Sequence, residues 1–153
     1  MLAPAGIAIR HYGGLGALPH FNPDLDVDPL PPAVVDLRAQ IGWADGVIVS
    51  SPEYARGVPG SLKNALDWLV SSDVFPEKPV ALFNASPRAS AAQAALRLTL
   101  ETMSAHMVDA ACITVPLLAG GKDAAAIAAD PEIAHAVRAA LEAFARAVAE
   151  RPR

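Results

Sequence analysis

Ser51-Pro52-Glu53-Tyr54-Ala55-Arg56-Gly57-Val58-Pro59-Gly60-Ser61-Leu62-Lys63-Asn64-Ala65-Leu66-Asp67-Trp68 is the stretch that decides the fold. It follows Gly46-Val47-Ile48-Val49-Ser50, an apolar run of the kind buried on both faces of a parallel sheet. A turn with two prolines and two glycines comes next, and helix is expected from near Pro59, a residue favoured in a first turn. Leu62, Ala65, Leu66, Leu69 and Val70 would be the buried stripe of that helix, with Asn64, Trp68 and Ser71 on an adjacent stripe. Ligands of open α/β sheets sit outside the carboxyl ends of the strands, so this turn is the expected ligand loop.

The flanking sequence repeats the same alternation. Ile7 to Tyr12 is predicted as a short strand ending at Gly13-Gly14, followed by a long proline-rich connection to Pro32. Asp24, Asp26 and Asp28 in that connection lack the tight ligand pattern of a metal loop and are expected to be solvated. Pro32 to Trp43 is predicted helical, with Val34, Leu37 and Ile41 on one face. Pro79 to Asn84 is the next strand, and Ala85 to Ser90 a turn. The following helix would carry Ala92, Leu96, Leu100, Met103 and Met107 on its core face. A strand from Ala110 to Val115 is stopped by Pro116, and Gly120-Gly121 marks a turn. The last helix is expected from an Asp130 N-cap, with Pro131 at the first position, to about Ala149. Its core face would be Ile133, Val137, Leu141, Phe144 and Val148. The order β-α-β-α-β-α-β-α implies a single domain over residues 1–153, a parallel sheet covered by helices on both sides.

Composition narrows the function. A chain of 153 residues, 53% apolar and 18% charged, can bury a core. A net charge of −4 disfavours a nucleic-acid footprint, though backbone amides at a helix N-terminus can hold a phosphate without a basic domain. No run approaches a membrane span, and Met1 to Gly6 lacks a signal-peptide pattern. Cys112 is the only cysteine, which excludes an intrachain disulfide and a cysteine-based metal site. These features point to the cytoplasm. His11, His20, His106 and His135 are scattered and form no catalytic or metal motif.

Pro52-Glu53-Tyr54, Val58-Pro59-Gly60 and Leu62-Lys63-Asn64-Ala65-Leu66-Asp67-Trp68 together resemble the NADPH-dependent FMN reductase family, which pairs P-E-Y with P-G-x-L-K-N-A-[IL]-D-W at this spacing. Leu18-Pro19-His20-Phe21-Asn22-Pro23-Asp24 is similar to that family's L-P-x-F-N-P-D connection. The resemblance implies a flavodoxin-like three-layer α/β/α sandwich with FMN at the carboxyl edge of its parallel sheet. It implies hydride transfer from NADPH or NADH to FMN, and from FMN to a small-molecule electron acceptor: a quinone, azo compound, free flavin or metal oxyanion. It also implies a homodimer or homotetramer, with Trp68 a candidate interface residue. The chemistry would be the cofactor's, which accounts for the lack of a nucleophile–base pair.

Carried over residue by residue, the resemblance makes Pro52, Glu53 and Tyr54 the flavin-contacting residues, through backbone amides near the polar edge of the ring. Ala55 stands where the family often has asparagine, and remains a cofactor-binding candidate. Arg56 either meets the phosphate of NADPH or a partner subunit, or stands in solvent. Ser86, in a turn without the family's glycines, is a further candidate contact. Lys63 and Asp67 are expected to pair at i,i+4 spacing, and Asn64 to serve structure.

The family's G-S-x-R-x-x-S-x-N phosphate loop has no match between Met1 and Pro19. The chain is therefore expected to be N-terminally incomplete by roughly 25 residues, a strand, loop and helix at common lengths. The missing strand would be the central one, leaving a slot of about 9.6 Å, twice the usual strand spacing. Tight FMN binding by this chain alone is then not expected. Two other readings compete: an FMN-free or inactive flavodoxin-like module acting in dimerisation or interaction, and, less favoured, an electron-transfer flavodoxin. Fold does not separate them.

Overall fold

The computed structural model describes residues 2–117 and 123–150. Helix α1 spans Pro32–Trp43, strand β1 Val47–Val49, helix α2 Gly60–Asp67, strand β2 Pro79–Asn84 and helix α3 Ser90–Thr102. Strands β3 (His106–Met107) and β4 (Ile113–Thr114) follow, then helices α4 (Ala124–Ala129) and α5 (Pro131–Ala149). All pairings are parallel: β2 is flanked by β1 on one side, and by β3 and β4 in series on the other.

Alternation along the strands builds two cores. Val47, Val49, Val80 and Leu82 face a large cluster shared with Val34, Leu37, Leu66, Trp68, Leu96 and Leu100, from α1, the end of α2 and α3. Ile48, Ala81 and Phe83 face the other way, toward Phe144 and Val148 of α5. This is the helix-on-both-faces layering expected of a parallel sheet. Gly46 lets α5 close on the sheet: a Cβ there would lie 2.7 Å from Phe144 Cζ.

Several elements match the sequence reading to the residue: α1, β2, and α5 with its Asp130 cap, whose carboxylate accepts from Ile133 N at 3.2 Å. Others differ. Ile7 to Tyr12 forms no strand, and Ile9 is 59% exposed. No described strand lies beside this segment to complete a ladder, and a lone extended segment gains nothing from β geometry. β1 accordingly carries no ladder partner on the side away from β2 among the described residues. Tyr12 instead turns onto the larger core, where burial first and the Asp36 carboxylate second raise its phenol above the ordinary range.

β1 is shorter than expected and only partly buried, because among the described residues it pairs on one side alone. Val70 is exposed rather than buried: α2 ends at Asp67, and the turns that follow break the helical phase. Met107 belongs to β3, not to α3, which ends at Thr102. Helix α4, capped by Asp123, has no counterpart in the sequence reading. The Gly120-Gly121 turn lies outside the described residues.

The strand expected from Ala110 to Val115 is interrupted by a 3₁₀ turn at Asp109–Ala111. Val108 N still donates to Val80 O at 2.9 Å, and Val115 N to Asn84 O at 2.7 Å. Between these, Leu82 N has lost its backbone partner and donates to Cys112 Sγ at 3.4 Å. The single thiol thus stands in for a missing ladder carbonyl, which a buried amide requires.

The long connection before α1 is packed, not loose. Two 3₁₀ turns, Gly14–Ala17 and Pro23–Leu25, bracket buried Leu18. Asp24 and Asp28 are solvated as expected, but Asp26 is largely covered and paired with Arg38 at 2.8 Å.

Candidate functional site

The carboxyl rim of the sheet is formed by the loop after β1 and the loop after β2. In the first, Tyr54 and Gly57 exchange backbone bonds, Tyr54 N to Gly57 O at 3.0 Å and Gly57 N to Tyr54 O at 2.9 Å. The two residues between them, Ala55 and Arg56, have φ of 49° and 62°. Positive φ at both central positions is the type I′ signature, normally supplied by Asn-Gly. Two side-chain-bearing residues in the left-handed region cost about 1 kcal/mol each. The double substitution Ala55→Asn with Arg56→Gly, which supplies that pair, should raise the unfolding free energy by about 1 kcal/mol, measured by urea titration.

Pro52, Tyr54, Ala55 and Arg56 are all exposed, Tyr54 by 66%. Arg56 makes no ion pair among the described residues. The amides of Glu53, Ala55 and Arg56 likewise have no hydrogen-bond partner there. The hairpin therefore presents a proline ring, a phenol ring and free N–H donors on one rim. Glu53 is turned away from solvent, its Oε2 accepting from Ala92 N of α3 at 2.9 Å. That bond ties the hairpin to the first turn of α3, which follows the second rim loop.

In the second loop, Asn84 closes the strand. It is buried, its Oδ1 accepts from Ser86 N at 3.0 Å, and its amide donates to Thr114 Oγ1 at 3.5 Å. Ser86 Oγ accepts from Arg88 N at 3.3 Å, which leaves its hydroxyl hydrogen available as a donor. Asn84 also lines two hollows flanking the strand end. One is apolar, about 140 Å³, between Phe83, Val115, Ile133 and Val137. The other is an open cleft of about 590 Å³ beside Ser90, Gln93, Arg97, Cys112 and Thr114. Sequence reasoning passed over Asn84; an asparagine closing a strand, two residues before a turn serine, is the signal that marks such a side-chain turn.

The rest of the long motif serves structure. Asn64 Oδ1 accepts from Phe21 N at 2.7 Å, and its amide donates to Pro19 O at 2.9 Å. Trp68 Nε1 donates to the same Pro19 O at 2.8 Å, and its ring meets Phe21 edge-on at a centroid distance of 5.0 Å. Trp68 is fully buried, which removes it as an interface residue: the indole is a core side chain that holds the connection before α1. Lys63 and Asp67 form the expected i,i+4 pair. The four histidines are exposed, and no cluster of His, Cys, Asp or Glu fit for a metal occurs among the described residues.

Comparisons with known proteins give the family and the fold. A sequence model of the family described as NADPH-dependent FMN reductase matches residues 2–120. The NAD(P)H-dependent FMN reductase PA1204 of Pseudomonas aeruginosa is 36% identical over 110 residues, 69% of this chain and 59% of that protein. The quinone reductase of Escherichia coli is 38% identical over 81 residues, 52% of this chain and 42% of its own length. The chain thus spans about half the length of these curated relatives. Among solved structures, the flavoenzyme NAD(P)H:(acceptor) oxidoreductase FerB from Paracoccus denitrificans superposes with a TM-score of 0.70. It is 31% identical, over 89% of this chain and 78% of that one. No helix among the described residues is long and apolar enough to cross a membrane.

Proposed function

The chain belongs to the NADPH-dependent FMN reductase family, and from that premise we propose that it is a flavin-dependent oxidoreductase that moves reducing equivalents from NADPH or NADH to a small-molecule acceptor of the quinone class. The observation that carries this reading is the Pro52–Gly57 hairpin, which presents flat side chains and unpaired backbone donors together on the carboxyl rim. FMN, when bound there, supplies the hydride relay between the nicotinamide and the acceptor. Pro52 and Tyr54 would be the residues that hold the ring and shield it from water. The amides of Glu53 and Ala55 would supply hydrogen-bond donors to it, with the Ser86 hydroxyl a further donor from the second loop.

The same residues say little for the phosphate. The N-terminus of α3, the natural anion site at this rim, is filled by the Glu53 carboxylate. Flavin retention then rests on the ring, and FMN and riboflavin should bind with dissociation constants within about threefold of each other. Quenching of flavin fluorescence measures both. The activity test is NADPH oxidation with benzoquinone, with and without added FMN. Consumption that requires both FMN and the quinone is expected; none at saturating FMN, or a rate independent of flavin, would refute the assignment.

A further inference from the structure

We propose that the Glu53 side chain is a positioning group: its carboxylate caps helix α3 and thereby fixes the Pro52–Gly57 hairpin, so that the carboxylate, unlike the residue's backbone amide, acts on the flavin through the loop and not by contact. The proposal rests on the flavin-holding role assigned to that hairpin. Helix α3 has no cap of its own. Its N-cap position is Ala89, with no side-chain hydrogen bond, and the hydroxyl upstream of it, Ser86, is engaged with Arg88 N. The first-turn amides of such a helix are left unpaired and attract a negative charge. Glu53 meets that need from 39 residues away, across two loops.

The hairpin is closed by its own Tyr54–Gly57 backbone pair and held at its ends by buried Ser51 and Pro59, with no other side-chain tie along residues 52–57 to another element among the described residues. Its tip is strained at Ala55 and Arg56, and Pro52 and Tyr54 are exposed. Among the described residues, Glu53 makes the only side-chain hydrogen bond from residues 52–57 to another element. One carboxylate therefore completes α3 and anchors the ring-facing loop, a charge-assisted bond of the stronger kind.

Arg56 at the exposed tip provides a reporter independent of flavin, because trypsin cleaves after it only when the hairpin opens. Loss of a cap is worth a factor of about 2–30 in an equilibrium. Glu53→Ala in the full chain should accelerate cleavage at Arg56 about tenfold and weaken FMN binding by a similar factor, since cleavage follows the open population. Glu53→Gln, which keeps a carbonyl acceptor, should lose only about threefold on both counts. Unchanged cleavage in both variants overturns the tether. Faster cleavage with an unchanged FMN dissociation constant overturns the positioning role. Weaker FMN binding with unchanged cleavage assigns Glu53 to the ligand directly, which also overturns it. Should Glu53→Ala fail to fold, Glu53→Gln decides alone. Wild-type protein that binds no FMN refutes the functional assignment, and the tether is then judged by cleavage.

Discussion

Trp68→Ala should cost about 3–5 kcal/mol of stability, enough to bring a domain at the low end of ordinary stability close to its unfolding midpoint at 25 °C. The indole is fully buried, sits at the junction of α1, α2 and the connection before α1, and has no room to be replaced by solvent. Truncation removes its packing, its edge contact with Phe21 and its bond to Pro19 O. Trp68→Phe separates these terms. It keeps most of the volume and loses the N–H, while Pro19 O retains the Asn64 amide as donor. A loss near about 1–2 kcal/mol is expected for it, by analogy with a removed hydrogen bond plus modest repacking. Urea unfolding of the two variants measures the difference. A Trp68→Ala protein as stable as wild type, but changed in oligomeric state, would return the residue to an interface role.

Where the fold was legible, punctuation and period agreed. Pro32 and the Asp130-Pro131 pair set helix starts that need no tertiary partner, and the apolar run from Pro79 to Phe83, closed by Asn84, has the length and composition of an interior strand. Helix α4 was missed although its Asp123 cap is a local signal, but the larger misses are non-local. Ile7 to Tyr12 has strand composition, but a strand exists only beside another, and none of the described strands lies there. Ala110 to Val115 is apolar but for Thr114, yet the chain lifts into a 3₁₀ turn where Ala111 packs under α5. The candidate site divides in the same way. The exposed Pro52 and Tyr54 follow from the motif, because a rim loop after a buried strand has nowhere else to go. The carboxylate of Glu53 does not, since its partner lies on a helix 39 residues away. Asn64 and Trp68 gain their meaning from Pro19 and Phe21, at separations of 43 to 49 residues. These bonds tie the Leu18–Asp24 connection to the helix that carries Asn64 and Trp68.

Arg38→Met should cost about 2–3 kcal/mol at pH 7, and less in acid. Arg38 donates from Nε and Nη2 to Trp68 O at 3.0 and 2.7 Å, closing the end of α2, and from Nη2 to Asp26 Oδ1 and Ser71 Oγ. Methionine keeps the aliphatic stem but leaves a helix-end carbonyl and a largely covered carboxylate without their cation. The pair is not deeply buried, which places the loss below that of a core ion pair. Its pH dependence follows from Asp26. The Ser71 hydroxyl bond first, and Arg38 next, hold that carboxyl below its ordinary range against the opposing effect of burial. A depressed folded value means stability that is present above the unfolded value, near about 3.9, and is lost as pH falls through the folded one. At pH 3 part of the wild-type advantage has therefore gone, whereas the bonds to Trp68 O persist because the guanidinium stays charged. The gap between wild type and Arg38→Met, from urea unfolding, should shrink between pH 7 and pH 3 without vanishing. A gap that is constant with pH would mean that Arg38 acts only as the cap on α2. A gap that closes completely would assign its whole contribution to Asp26.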